Sequence, residues 1–245
     1  MAARNLACAV VAGAASVALV LSAQADPRAV IELFTSQGCS SCPPADKLIG
    51  EFASDPAFVP ISVPIDYWDY LGWKDTLADP RHTARQRAYA KMRGDREVYT
   101  PQVVVNGSLH ALGSDRAAIE RSIEQSRHIP AVQSLPVKLA VSDGRVTVGV
   151  PNGVAHADAE VWISGLAKAV SIAIKRGENT GKTITYHNVA RSWLRLGMWT
   201  GAANAWTVLI KDIERDGIDA AAVLVQSGTA DKPGVILGSA ITNIR

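Results

Sequence analysis

Two of the three cysteines in this sequence, Cys39 and Cys42, are separated by only two serines. They follow an apolar run, residues 30–34, that is typical of a buried strand. A thiolate attacks a disulfide best when its pKa is lowered, and a second thiol within reach then resolves the mixed disulfide. A Cys-x-x-Cys pair between a strand and a helix supplies both conditions, so the motif indicates a redox-active dithiol.

The helix expected after the motif gives each sulfur a different role. If Ser40 or Ser41 caps that helix, Cys39 lies just before its N-terminus, where free backbone N–H groups and the helix dipole stabilise a thiolate. We therefore predict that Cys39 attacks and that Cys42, inside the first turn, resolves the mixed disulfide. The double proline that follows is tolerated because amides of the first turn lack intrahelical partners.

The N-terminal residues predict an exported protein. Residues 1–4 carry one positive charge, residues 6–21 are apolar and uncharged, and residues 23–25 form a small-x-small cleavage site. We expect residues 1–25 to be a signal peptide, with an uncleaved membrane anchor as the alternative. The mature protein is expected to be periplasmic or secreted, without stable membrane insertion, in a compartment where a cysteine pair can be oxidised.

The composition argues against several classes of protein. Lys and Arg together number 25 and Asp and Glu 23, for a net charge of +2, so no global attraction to nucleic acid or to anionic lipid is expected. Two cysteines outside the leader do not make a disulfide-stapled scaffold, so an apolar core must supply the stability. The length of 245 residues fits one large domain or two smaller ones.

The first half of the chain, residues 26–129, is predicted to alternate strands and helices. The predicted strands are residues 29–34, 58–66, 101–106 and 109–112, and the predicted helices are residues 43–52, 79–94 and 114–127. The resulting order is β, α, β, α, β, β, α. This order places the cysteine motif directly after the first strand and Pro101 at the start of the third.

That arrangement resembles the thioredoxin-like fold. The resemblance implies a cis Thr100–Pro101 bond, whose open corner lets the backbone of Thr100 pair with a substrate strand. The alternative is a trans proline at the start of an edge strand. The resemblance also implies that Glu32 is a buried acid that helps to deprotonate Cys42. A surface position or an ion pair with an arginine is the alternative for Glu32.

Three further segments resemble the signatures of one family of bacterial secreted thioredoxin-like proteins, catalogued as a domain of unknown function. They are the aromatic segment 65–75, the tetrapeptide 99–102 and the tetrapeptide 176–179. This resemblance implies the fold and carries no settled activity. We expect the aromatic side chains between Tyr67 and Trp73 to be mostly packed, with one or two rings at the rim of the site.

The second half, residues 130–245, is predicted to be a β-rich C-terminal domain. Its predicted strands are short and separated by turn residues: 137–141, 145–150, 160–164, 170–175, 182–189, 192–196, 206–211, 221–226 and 235–241. Such spacing favours an antiparallel β-sandwich. The expected fold is therefore an α/β thioredoxin-like domain followed by a mostly antiparallel β-sandwich-like domain.

The function that the sequence favours is that of an exported thiol–disulfide oxidoreductase. Cys39 is the predicted nucleophile and Cys42 the resolving thiol, while Thr100 and Pro101 align the substrate and Glu32 handles a proton. The expected partners are proteins with thiols or disulfides and a redox partner, and no cofactor or metal is expected. The direction of electron flow stays open, because residue types alone do not fix a reduction potential.

Two other functions remain open at this point. A copper or zinc carrier could use the two thiolates, although a structural zinc site needs about four ligands, so His82 or His110 would have to converge on the cysteines. A non-catalytic adaptor would use the disulfide only to staple a turn. Metal binding by the reduced protein distinguishes the first alternative, and the stability of a cysteine variant distinguishes the second.

Overall fold

The computed structural model describes residues 26–154 and 158–245. In this part of the chain, two β-sheets and four α-helices are present. The predicted signal peptide, residues 1–25, lies outside the described residues. None of the described helices is long and apolar enough to cross a bilayer.

The seven elements predicted for the first half occur in the predicted order. They are β1 (Ala29–Thr35), α1 (Pro43–Ala53), β2 (Phe58–Pro64), α2 (Pro80–Arg93), β3 (Gln102–Val105), β4 (Leu109–Leu112) and α3 (Arg116–Ser126). Helix α2 has clear boundaries, since the Asp79 carboxylate accepts the Arg81 N–H and Gly94 ends the helix in the left-handed conformation. The cap of α3 is Asp115 rather than the predicted Ser114.

The second half contains fewer and longer strands than the sequence predicts. The elements are β5 (Lys138–Ser142), β6 (Arg145–Val150), β7 (Ala159–Ala173), β8 (Thr183–Trp199), β9 (Asn204–Leu209), α4 (Ile210–Ile213), β10 (Ala220–Thr229) and β11 (Lys232–Asn243). Each of β7 and β8 was expected as two short strands. The β7–β8 pairing shifts register at Val161/Trp162 and at Gly165/Leu166. Such bulges interrupt the two-residue alternation on which the prediction depended.

The predicted fold class, a thioredoxin-like domain followed by a separate β-sandwich, is wrong. One mixed eight-stranded sheet runs through both halves, in the order β11-β10-β7-β8-β2-β1-β3-β4. Strands β2 and β8 join the halves through a parallel pairing of Ser62 with Val189. The Ser62 hydroxyl donates to the His187 carbonyl at 2.7 Å, and the Asn188 amide donates to the Pro60 carbonyl at 3.0 Å. These bonds attach β8 to a strand that would otherwise be an edge.

The remaining three strands form a small sheet, in the order β5-β6-β9. Its buried side chains, among them Val146 and Val148, pack against Val161 of β7 and Val223 of β10. The small sheet therefore covers only the strands of the second half. The predicted boundary between residues 129 and 130 stays a prediction.

The two faces of β1 are covered by different helices. Ile31 and Leu33 belong to the core formed with α1 and α3. Val30 and Phe34 belong to a second core that includes Tyr89 of α2 and reaches across the sheet to β10 and β11. Because successive side chains of a strand point to opposite faces, α1 and α2 lie on opposite sides of the sheet.

Candidate functional site

Cys39 and Cys42 form a disulfide at the N-terminus of α1. The cap residue is Cys42 itself rather than Ser40 or Ser41. The Cys42 carbonyl accepts the N–H groups of Ala45 and Asp46 at 2.9 and 3.0 Å. Of the two cysteines only Cys39 has measurable exposure, at 2 %. Both sulfurs thus lie at the positive end of the helix dipole, with Cys39 nearer to solvent.

The Thr100–Pro101 corner lies beside the disulfide, and its peptide bond is cis, as the resemblance to the thioredoxin-like fold implies. The Ser41 hydroxyl links the two features, since its oxygen lies 3.4 Å from the Cys39 sulfur and 3.5 Å from the Thr100 carbonyl oxygen. Within the described residues the Thr100 N–H makes no hydrogen bond. The structure therefore brings together four of the predicted site residues: Cys39, Cys42, Thr100 and Pro101.

The aromatic segment after β2 borders this corner. The Trp68 indole N–H donates to the Thr100 hydroxyl at 2.8 Å, and the Trp73 indole N–H donates to the Gln37 side-chain oxygen at 2.8 Å. Tyr70 stacks on Trp68, with ring centroids 6.4 Å apart, and is 77 % exposed. This agrees with the expected arrangement, in which most rings pack and one reaches the rim.

The connection between β7 and β8 holds the loop that carries Cys39. The buried Asn179 side chain donates to the carbonyl oxygens of Gln37 and Cys39, at 3.0 and 2.9 Å. Next to it, the exposed Glu178 carboxylate accepts the Ser40 N–H at 3.3 Å. Sequence reasoning recognised this tetrapeptide as a family signature and gave it no role. The second half of the chain thus supplies part of the site.

Glu32 is not part of the dithiol site. It lies on the α2 face of β1, where the Arg85 guanidinium donates to its two oxygens at 2.6 and 3.0 Å. The Tyr89 hydroxyl donates to the same carboxylate at 2.6 Å. Helix α1 lies on the other face of the sheet. The prediction that Glu32 deprotonates Cys42 therefore lacks the required geometry, and the arginine pair is what the structure contains.

Asp46 is the buried acid of the α1 face, and sequence reasoning missed it. It lies one helical turn after Cys42 and receives a hydrogen bond from the Thr35 hydroxyl at 2.7 Å. Its second carboxyl oxygen has no partner among the described residues. Burial raises the pKa of Asp46 to about 8. The sequence does contain a signal for Asp46: it lies four residues after Cys42, and residues four apart on a helix share a face.

Two further groups surround Asp46, and we name Asp46, Asp75 and Tyr186 the acidic cluster. Asp75 accepts the N–H groups of Gln37 and Leu77, both at 2.8 Å, and burial raises its pKa to about 6. The Tyr186 hydroxyl of β8 is buried and has no partner among the described residues. Burial raises the pKa of Tyr186, and the charges of the two carboxyl groups add to that shift. Asp75 connects the acidic cluster to the loop of the disulfide through its hydrogen bond from the Gln37 N–H.

The histidines that a zinc site would require have other partners. The His82 ring donates from Nδ1 to the Pro64 carbonyl at 2.8 Å and accepts the Trp193 indole N–H at 3.2 Å. His110 lies 2.9 Å from the Tyr99 hydroxyl. Across residues 26–154 and 158–245, no group of three or more His, Cys, Asp or Glu side chains is arranged to hold a metal ion.

Comparisons with known proteins give a family and two related structures. The family model described as "Protein of unknown function (DUF1223)" matches residues 30–226. The crystal structure of protein AGR_C_4864 from Agrobacterium tumefaciens is similar over 91 % of this chain and 97 % of that chain, with 29 % identity and a TM-score of 0.81. HBP35 of Porphyromonas gingivalis covers 89 % of this chain and 76 % of its own, with 13 % identity and a TM-score of 0.63, so it shares the fold alone. No curated protein matches the chain.

Proposed function

This chain belongs to DUF1223, a family of proteins of unknown function, and we propose that it catalyses thiol–disulfide exchange with exported protein substrates. The observation that carries the proposal is the position of the Cys39–Cys42 disulfide, at a helix N-terminus and beside the Thr100 corner. We also propose that this local region is related to the active sites of thioredoxin-like proteins, while the sheet around it is not. The sequence of residues 1–25 supports a periplasmic or secreted location.

The exchange proceeds in two balanced steps. The Cys39 thiolate attacks one sulfur of a substrate disulfide; a Cys39–substrate bond forms, the substrate S–S bond breaks, and the other substrate sulfur leaves as a thiolate. Cys42 then gives up its proton and attacks the Cys39 sulfur, which forms the internal disulfide and releases the second substrate thiolate. Two electrons pass to the substrate, and its two thiolates take up the protons. The reverse sequence oxidises a substrate dithiol.

Two observations support Cys39 rather than Cys42 as the attacking sulfur, since the helix dipole favours the thiolate of either cysteine. The Ser41 hydroxyl, 3.4 Å from the sulfur, can donate a hydrogen bond to that thiolate. Of the two cysteines only Cys39 is in contact with solvent.

Asp46 is the group best placed to exchange a proton with Cys42. The two residues are one turn apart on α1, where side chains share a face. The Asp46 pKa, raised to about 8 by burial, is close to the value of about 8.5 for a free thiol, and matched pKa values make proton transfer nearly balanced. Glu32 is held by Arg85 on the opposite face and has no comparable path.

The substrate in this proposal is an extended polypeptide rather than a small thiol alone. The Thr100 N–H has no partner among the described residues and is free to pair with a substrate backbone. The exposed Tyr70 ring, stacked on Trp68, offers an apolar surface next to that position. A peptide bound in this way presents its disulfide to Cys39.

Exchange with a fluorescent peptide disulfide tests the proposal. We expect the purified protein to reduce or form this disulfide in repeated turnovers with a glutathione buffer, and Cys39→Ser to lose the activity. Cys42→Ser should accumulate a mixed disulfide between Cys39 and the peptide, visible by mass spectrometry. An adaptor with a structural disulfide would give a wild-type rate equal to that of Cys39→Ser, and this result would refute the proposed function.

A further inference from the structure

The Glu178 carboxylate contacts the backbone of the loop that carries Cys39. It accepts the N–H of Ser40, the residue that directly follows Cys39, at 3.3 Å. Among the described residues Glu178 forms no ion pair, so no cation neutralises its charge. A negative charge next to a thiol disfavours the thiolate. Glu178 also occupies an amide N–H that would otherwise be free to favour negative charge at the N-terminus of α1.

A second carboxyl group contacts the same loop. Asp75 accepts the Gln37 N–H at 2.8 Å, and its pKa, raised by burial to about 6, leaves it ionised at pH 8. Among the described residues, the Lys182 ammonium lies 2.9 Å from the side-chain oxygen of Asn179. Its contact is with the amide that holds the loop and not with the sulfurs. The surroundings of the dithiol are therefore more negative than a helix N-terminus alone provides.

We infer that Glu178 sets the direction of electron flow by making the Cys39–Cys42 couple reducing. This inference rests on the proposed function. A dithiol is a strong oxidant when its reduced form is stabilised as a thiolate, so a carboxylate that destabilises the thiolate has the opposite effect. The protein thus passes two electrons and two protons from its thiols to a substrate disulfide. A partner dithiol protein supplies two electrons and two protons to regenerate the cysteines.

Asn179 is the positioning residue for this arrangement. Its side chain is buried and donates to two carbonyl groups of the cysteine loop, those of Gln37 and Cys39. These bonds hold the β7–β8 connection against the loop, which places the neighbouring carboxylate at Ser40. The signature at residues 176–179 therefore combines a structural amide with a carboxylate that tunes the dithiol.

The variant Glu178→Gln tests the inference, because it keeps a hydrogen-bond acceptor and removes only the charge. We expect the Cys39 pKa in the reduced protein to fall by about 1 unit. At pH 8 the equilibrium constant for oxidation of the dithiol by glutathione disulfide should fall by up to about tenfold, equivalent to a potential up to about 30 mV higher, and the full factor applies where the thiolate predominates in both proteins. The control is Glu124→Gln on α3, an exposed carboxylate paired with Arg127, which should change neither value.

The outcomes separate this inference from the proposed function. If Glu178→Gln and wild type share one equilibrium constant and one Cys39 pKa while both still turn over the peptide disulfide, the inference fails and the proposed function stands. If wild type turns over no disulfide, the proposed function fails, and a Cys39 pKa unchanged by Glu178→Gln would refute the electrostatic role as well. A shift in both values supports the inference, since a merely structural role of Glu178 would not move them.

Discussion

Two buried carboxyl groups on opposite sides of strand β1, those of Glu32 and Asp46, are held in opposite ways. On the α2 face, Glu32 accepts three hydrogen bonds from Arg85 and Tyr89. On the α1 face, Asp46 accepts one side-chain hydrogen bond, from Thr35, and its other oxygen has no partner among the described residues. The first group is committed to an ion pair, whereas the second is free to exchange a proton.

Under the proposed function, one sheet separates a stabilising ion pair from the groups that would perform chemistry. The Arg85 guanidinium also donates to Gln226 of β10, so the ion pair ties the first half of the chain to the second. The α1 face carries the disulfide and the acidic cluster instead. Glu32 and Asp46 are equally far from Cys39 in the sequence. They differ in the side of the sheet on which each side chain lies.

The largest expected effect follows from breaking the ion pair with Arg85→Met. Glu32 would remain buried without its cation, and removing one partner of a buried pair costs about 3–5 kcal/mol in the free energy of unfolding. Urea unfolding measures this loss. We expect the disulfide-exchange rate per folded molecule to stay within about twofold of wild type, because the pair does not touch the dithiol.

Arg81→Met on the same helix is the matched control for that variant. Arg81 is exposed and pairs with Asp79 at the surface, so its loss should cost no more than about 1 kcal/mol. Equal losses for Arg81→Met and Arg85→Met would contradict the structural role of the Glu32 pair. A large fall in the exchange rate of folded Arg85→Met would show that the two faces are not separate.

Asp46→Asn tests the chemistry of the α1 face. If Asp46 takes the Cys42 proton, its loss should slow the resolution of the mixed disulfide by about 100-fold, the range found for a positioned acid or base. Acid quenching and mass spectrometry at successive times measure the mixed disulfide. Glu51→Gln, an exposed carboxylate on the same helix, serves as the control and should resolve at the wild-type rate. Equal rates for wild type and Asp46→Asn would remove Asp46 from the mechanism.

The same carboxyl group predicts how stability depends on pH. The pKa of Asp46 rises from 3.8 to about 8 on folding, so between these values the folded state binds more protons than the unfolded state. Stability is then lost as pH rises toward 8, by up to about 1.4 kcal/mol per pH unit for one proton.

Two other buried groups titrate at lower pH and define the window for this measurement. Burial raises the pKa of Asp75 to about 6. The ionisation of Asp75 therefore also lowers stability as pH rises, but this loss is nearly complete once the pH exceeds 6. Burial lowers the pKa of His82 to about 4 from 6.5, which adds stability as pH rises to 6.5. Between pH 6.5 and 8 the free energy of unfolding should therefore fall more steeply with rising pH for wild type than for Asp46→Asn. Parallel unfolding free energies in this range would contradict the raised pKa of Asp46.

The elements and site residues that the sequence predicted well are those with local signals. The helical pattern of residues 79–94 and the apolar run of β1 each involve neighbours in sequence. The cis Thr100–Pro101 bond was also found, as what the resemblance to the thioredoxin-like fold implies. These signals place α2 and the first strand within one or two residues of their observed ends.

The parts that could not be predicted depend on contacts between distant residues. The pairing of β2 with β8 is fixed by Ser62 and Asn188, which bond to backbone groups of residues far away in the sequence. Asn179 likewise acts on a loop some 140 positions earlier. The face of Glu32 follows from simple alternation, but which helix covers that face depends on how the sheet is completed.

The smallest expected effect comes from Thr35→Val, which removes the one side-chain hydrogen bond to Asp46 and nearly keeps the side-chain shape. Loss of this bond should cost about 1 kcal/mol of unfolding free energy. Because the bond lowers the pKa of Asp46, its loss should raise that pKa further and move the pH dependence of mixed-disulfide resolution to higher pH. Thr83→Val, which removes a similar bond to Asp66 on the α2 face, should leave this pH profile in place. If both variants keep the wild-type profile, the proton that leaves Cys42 does not pass to Asp46, and the two faces of β1 differ in structure alone.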